Sequence, residues 1–238
     1  MVKKKEALPA AGLVLGIETA TALGGVALVS RSGDLCGEIT LRNHESHSER
    51  ILPAVASLLQ TLGASLSGLA AIAVSCGPGS FTGLRAGIAA AKGLAFSLGV
   101  PLYGIPTLEA LAANAPPGEG EVCAVLNARR GEIFCARFRS GPAGPQRLGP
   151  DTLMPIAALA GELAAGCLVI GEPPFLPPDR HPGREAVRCA PPHLNYPRAA
   201  VVAFLGTLAH GQSRESELVT LMPHYVRPCD AVVARCGV

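Results

Sequence analysis

The chain has 238 residues, 49% of them hydrophobic and 16% charged, with a formal net charge of +2. That is enough length and apolar content for one large domain or two small ones, and the near-neutral balance argues against gripping nucleic acid over a wide surface. Aromatic residues make up only 4% and tryptophan is absent, which weakens a base-stacking mode, and no run reaches the roughly 18 apolar residues that a membrane span needs.

The first residues, Met1-Val-Lys-Lys-Lys-Glu6, have the charge of a signal segment. The apolar stretch behind them is broken by Pro9, Gly12 and Gly16 and soon meets Glu18, so residues 1–12 read as the frayed basic start of a soluble, cytoplasmic protein. Strands follow over Leu13–Ile17, Gly25–Ser30 and Leu35–Arg42, a three-stranded meander. Ser46-His-Ser-Glu49 has the spacing of a capping box, and Ile51, Leu52, Val55, Leu58, Leu59 and Leu62 recur at helical spacing. Pro53 lies inside this helix and is expected to kink it or shift its start. An apolar strand over 69–75 leads into Cys76-Gly-Pro-Gly-Ser-Phe-Thr-Gly-Leu-Arg85, and a helix rich in small residues runs from Leu84 to Leu98. Gly99 stops it, Val100–Ile105 returns as a strand, and Thr107–Ala113 starts another helix.

Ala115-Pro-Pro-Gly-Glu-Gly120 is a turn-rich break that divides an N-terminal lobe, 13–115, from a C-terminal lobe, 116–238. The second lobe also opens on a hairpin, with strands 121–126 and 132–138 around Asn127-Ala-Arg-Arg-Gly131. Helices are expected over 156–165 and 198–209, the latter with Pro197 at its first turn. The proline-loaded stretch 172–193 reads as loop. Eight cysteines, at 36, 76, 123, 135, 167, 189, 229 and 236, include no C-x-x-C pair. They read as reduced core thiols rather than a disulfide framework or a zinc site, with Cys229 and Cys236 expected to be the accessible ones.

The glycine loop (Gly77, Gly79, Ser80, Phe81, Thr82, Gly83) is the most informative feature. A tight strand-to-helix loop turns its N–H groups outward, with the positive end of the helix dipole behind it. It can hold an anion, or it can hold a fixed backbone shape against a partner. Gly83 is followed by Leu84 and Arg85 rather than Lys-Ser/Thr, and the glycine spacing is not that of a dinucleotide fingerprint. In the helix behind it, Gly83, Gly87, Ala91 and Ala95 repeat every four residues and form one nearly bare stripe. The stripe can pack on the protein's own sheet or on another subunit. Ser80 and Thr82 have no histidine nearby in sequence, and His44 and His47 lack a third ligand. No catalytic or metal-binding residue is assigned.

Gly16-Ile-Glu-Thr-Ala20, His47-Ser-Glu-Arg-Ile-Leu-Pro53, the glycine loop through Arg85, Ile105-Pro-Thr-Leu-Glu109, Asn127-Ala-Arg-Arg-Gly-Glu132 and Pro223-His-Tyr-Val-Arg227 occur in that order. Together they resemble the TsaB family, partner subunits in making the threonylcarbamoyladenosine of tRNA. Glu18 and Asn127 stand where that family more often has Asp. The resemblance implies an α/β, actin-like, Hsp70-like ATPase fold with two lobes. It implies a scaffold that pairs with the enzyme TsaD, with the ATPase TsaE docking at the subunit junction, and that pairs with itself when alone. TsaD holds a metal through a His-Met-Glu-Gly-His run, which here is Thr107-Leu-Glu-Ala-Leu111; leucine cannot ligate a metal. By the same resemblance the pairing surface lies on the helices at 47–62 and 84–98, with His47, Ile51, Leu52, Val55, Leu59, Leu84, Arg85, Gly87, Ile88, Ala91 and Ala95 on it. No cofactor is expected in the isolated chain, ATP and Mg²⁺ belong only to an assembled complex, and tRNA is met indirectly. Two other readings are an ATP-using kinase or hydrolase of the actin-like fold, with Glu18 on Mg²⁺, and a peptidase.

Overall fold

The computed structural model describes residues 12–42, 50–172 and 188–226. Strands β1 (Leu13–Glu18), β2 (Leu23–Val29), β3 (Leu35–Arg42), β4 (Leu69–Gly77) and β5 (Leu102–Pro106) form one sheet in the order β3-β2-β1-β4-β5. The meander β1-β2-β3 is antiparallel, and β4 and β5 are added parallel on the other side of β1. The second sheet repeats this plan. Strands β6 (Glu121–Arg129), β7 (Glu132–Arg139), β8 (Gln146–Arg147), β9 (Thr152–Pro155), β10 (Leu168–Gly171) and β11 (Arg188–Cys189) take the order β11-β10-β6-β7-β8, with β9 also on β7. Here β6-β7 and β7-β9 are antiparallel, while β6-β10 and β10-β11 are parallel. The repeated order and strand senses form the two-lobed architecture that the resemblance implies.

The helices are α1 (Ile51–Leu62), α2 (Phe81–Leu98), α3 (Thr107–Ala112), α4 (Ile156–Glu162) and α5 (Ala199–Gly211). Leu13, Leu15 and Ile17 of β1 face a core shared with α1 and α2, while Val14, Ala71 and Ala73 face the opposite core, built with α5. Strands covered on both faces read as continuous apolar runs rather than alternating ones, which is how β1 and β4 look. α5 lies so close that a Cβ on Gly16 would collide with the Ala199 carbonyl, and one on Gly206 with the Ala73 side chain. Glu38 of β3 ties α5 down: its carboxylate accepts from the Ala200 amide at 3.0 Å and pairs with Arg198, a cap supplied from across the fold. Conversely, α3 packs on β6 and β7 of the second sheet, with Leu108 and Leu111 in its core.

Several local expectations shift. α1 starts at Ile51 with Arg50 before it, so Pro53 sits in the first turn, where amides have no partner inside the helix, and the start shifts instead of the helix kinking. The capping box at 46–49 lies outside the described residues. α2 starts at Phe81 rather than Leu84, because the Ser80 side chain caps it by accepting from the Gly83 amide at 3.3 Å. The two-residue strands β8 and β11, and β9 and β10, fall where no alternating pattern announced them.

Candidate functional site

The glycine loop closes on its own surroundings. The Gly77 amide donates to Thr107 Oγ1 at 3.1 Å, and the Ser80 amide donates to the Ala20 carbonyl at 2.7 Å. The Leu84 amide donates to the Ser80 carbonyl at 2.9 Å. Gly77 has φ +119, and a side chain there would run into the His224 carbonyl. A side chain on Gly79 would run into Ala20. The glycines are therefore needed where one stretch of backbone meets another, and the amides of Gly77, Ser80, Gly83 and Leu84 are bonded within the chain. Of the two roles open to this loop, these contacts support the fixed backbone shape.

Below it, Glu18 ends β1 with 1% exposure. Its carboxylate accepts from the Ala20 amide at 2.6 Å and from the Ser75 hydroxyl. Burial pushes its pKa up to about 7, against the pull of hydrogen bonds from Ser75, Ala20 and Thr19. Both oxygens are held inward beneath the β1–β2 turn, which suits a structural carboxylate better than a ligand for Mg²⁺. Thr19 Oγ1 is buried with no hydrogen-bond partner among the described residues, and it fills the space beside Gly87.

That contact corrects the reading of the small-residue stripe. Gly83, Gly87, Ala91 and Ala95 face inward and are buried with Leu84 and Ile88. Ile51, Val55 and Leu59 of α1 are buried in the same core. Ile51, Val55, Leu59, Leu84, Gly87, Ile88, Ala91 and Ala95 are thus spent on this chain's own core instead of being presented on its surface, and the stripe is bare where the Thr19–Ala20 turn and β4 press on it. The outward faces carry Leu52, 51% exposed, together with Arg85, Thr82, Ala89 and Phe96, the last 79% exposed. His47 lies outside the described residues.

Among the described residues Arg85 meets a phenol and an aromatic ring, not a carboxylate. Its Nε donates to the Tyr225 hydroxyl at 3.0 Å, and its guanidinium stacks 3.7 Å from the Phe81 ring centroid. Phe81 in turn stacks on Tyr225 at 4.9 Å. Thus the Pro223-His-Tyr-Val226 run and the glycine loop, far apart in sequence, form one site. Both runs are visible in the sequence, but nothing in either says that they touch.

The stretch that would have to hold a metal is fully engaged. Thr107 is buried and bonded to the loop, and Leu111 is buried in the second-lobe core. Between them Glu109 is held above the usual carboxylate range by burial, partly offset by Arg147 and Arg214. Asp151 accepts from Arg147 at 2.5 Å and lies 3.2 Å from His224 Nε2. No group of three or more His, Cys, Asp or Glu among the described residues could hold a metal ion. Of the cysteines, Cys123, Cys135 and Cys167 are buried, Cys36 and Cys76 half-buried, and Cys189 exposed; Cys229 and Cys236 lie outside the described residues. No described helix is long and apolar enough to cross a membrane.

Residues 35–167 match the family model of TsaD, tRNA N6-adenosine threonylcarbamoyltransferase. An uncharacterized protein of Mycobacterium tuberculosis is 32% identical over 222 residues, 92% of this chain and 93% of that one. The tRNA threonylcarbamoyladenosine biosynthesis protein TsaB of Escherichia coli is 40% identical over 133 residues. This chain belongs to the TsaB family. The match spans 55% of this chain and 57% of the Escherichia coli protein. The crystal structure of YeaZ from Pseudomonas aeruginosa superposes with a TM-score of 0.78 at 27% identity, covering 90% of this chain and 99% of that one. The two-lobed, actin-like fold of the TsaB family is thus present along most of the sequence.

Proposed function

We infer that this chain works in making the threonylcarbamoyladenosine of tRNA, as a TsaB-type subunit that supports a TsaD-type transferase and has no reaction centre of its own. The observation that carries the reading is the fate of two positions. Thr107 and Leu111 stand where the catalytic relative needs imidazoles, and here one is bonded to Gly77 and the other is core. The pairing surface is the outer side of α1 and α2, around Leu52, Arg85, Ala89 and Phe96. Their exposed apolar area next to small residues suits a second helix pair. On this reading a TsaE-type ATPase docks at the subunit junction and brings the ATP and Mg²⁺, the chain self-pairs through the same surface when alone, and tRNA is met through the partner.

The test is a tRNA modification assay with a TsaD-type partner and its ATPase, with and without this chain. Modification should depend on the chain, and Phe96→Asp should weaken both co-purification and activation while the monomer stays folded. Threonylcarbamoyl transfer by the isolated chain would overturn the accessory role. Undiminished pairing of Phe96→Asp would remove that residue from the interface.

A further inference from the structure

The segment from Gln212 to Val226 has no helix or strand, yet it is anchored along its length to both lobes. It begins on the free edge of β5, where the Leu102 amide donates to Ser216 Oγ at 3.1 Å and the Glu217 amide donates to the Leu102 carbonyl at 2.8 Å. Leu221 then enters the first-lobe core over Gly104, where any added side chain would collide with it. Lys92 Nζ donates to the Val219 carbonyl at 3.2 Å and ties the segment to the outer side of α2.

His224 is the crossing point. Its amide donates to the Cys76 carbonyl at 2.6 Å, its own carbonyl rests on Gly77, and its imidazole reaches Asp151 in the second lobe at 3.2 Å. Tyr225 packs on Phe81 and Arg85 at the start of α2, and Val226 packs against the second-lobe core. In open α/β sheets the carboxyl ends of parallel strands are where ligands settle, and two-lobed proteins commonly close around a ligand that touches both halves. Here the carboxyl end of β4 is covered by the chain's own backbone.

We propose that residues 212–226 are a built-in clasp, which holds the glycine loop and the second lobe in one arrangement and so does internally what a bridging ligand does elsewhere. The clasp rests on contacts within this chain and is independent of the family reading. It predicts that loss of the His224 and Tyr225 side chains loosens two separated places together: residues 76–86 in the first lobe and 151–154 in the second. The loop's own bonds to Thr107 and Ala20 stay in place, so the effect is local opening rather than unfolding.

The experiment is amide hydrogen exchange on the full chain, comparing the parent with His224→Ala/Tyr225→Ala and with Val219→Ser, a strap residue whose side chain is 86% exposed. We expect exchange at 76–86 and at 151–154 to quicken at least about tenfold in the double variant. Amides of β6 and β10 should keep their parent rates, and Val219→Ser should match the parent throughout. Unchanged rates at either place would overturn the clasp. So would equal quickening across the whole chain, which would mean that the two side chains only add general stability. The single variant His224→Ala keeps the Tyr225 stack, and it should quicken 151–154 more than 76–86; the reverse order would place the lobe-to-lobe link elsewhere.

Discussion

The two sheets share strand order and strand sense but not their cover. The first lies between the 12-residue α1 and 18-residue α2 on one side and the 13-residue α5 on the other. The second has the six-residue α3 on one face and the seven-residue α4 on the other. Their hairpin tips differ as well. In the first, Glu18 turns inward and bonds the turn above it. In the second, Arg129 and Arg130 are exposed with φ of +65 and +54, and Gly131 follows at +77. The strand plan is repeated, while helix cover and turn chemistry differ. The lobe with the longer helices on both faces is the one that carries α2 and the glycine loop.

The contrast breaks most sharply at α5. Gly16→Ala would drive a methyl group into the Ala199 carbonyl, where only backbone can yield. We expect a loss of about 3 kcal/mol, read as a lower urea midpoint. Gly161→Ala, on the second lobe's α4, meets open space and should leave that midpoint unchanged or raise it.

Glu18 gives the next largest effect. Its folded pKa of about 7 lies above the ordinary 4.5, so the folded state holds the proton more tightly. Stability should therefore fall as pH rises from about 4.5 to 7 and stay low above that window. The loss is on the order of 3 kcal/mol. Glu18→Gln has no charge to bury. Its pH dependence of melting should be flatter across that window, and the variant should be the more stable protein at pH 8.

A smaller effect tests the bare stripe. Gly87→Ala should cost about 1–2 kcal/mol by crowding Thr19. In a Thr19→Ala background, where the crowded hydroxyl is gone, the same change should cost clearly less, a coupling that a double-mutant cycle reads directly. Equal costs in both backgrounds would detach the stripe from the turn. Smallest is the second hairpin. Arg129→Gly relieves a left-handed arginine and should raise stability by about 0.5 kcal/mol, visible as a small rise in melting temperature.

Much of the first lobe was legible because its elements are long and periodic. The spacing of Ile51, Val55, Leu58 and Leu62 marks α1, and the apolar run before Cys76 marks β4. Beyond residue 115 the hairpin and the helices α4 and α5 were legible, but the remaining strands were not, since β8 and β11 are two residues each and carry no pattern. The orientation of the small-residue stripe could not be read from α2 alone: a bare stripe fits a sheet as well as a partner, and Thr19, far away in sequence, decides it. The same holds for Glu38, which caps α5 across 162 residues, and for Tyr225, which meets Arg85 across 140. Sequence periodicity carries local structure, whereas these contacts are fixed by the closing of the whole fold.

The placement of α5 sets an order of events during synthesis. β1 and β4 emerge early from the ribosome, yet the face that carries Gly16 and Ala73 has no cover until Ala199–Gly211 has been made. Until then that apolar surface stays open to nonspecific association, the hazard of incompletely packed intermediates. The lobe translated first is thus the one completed last, and a ribosome stalled anywhere before α5 leaves the first sheet half dressed.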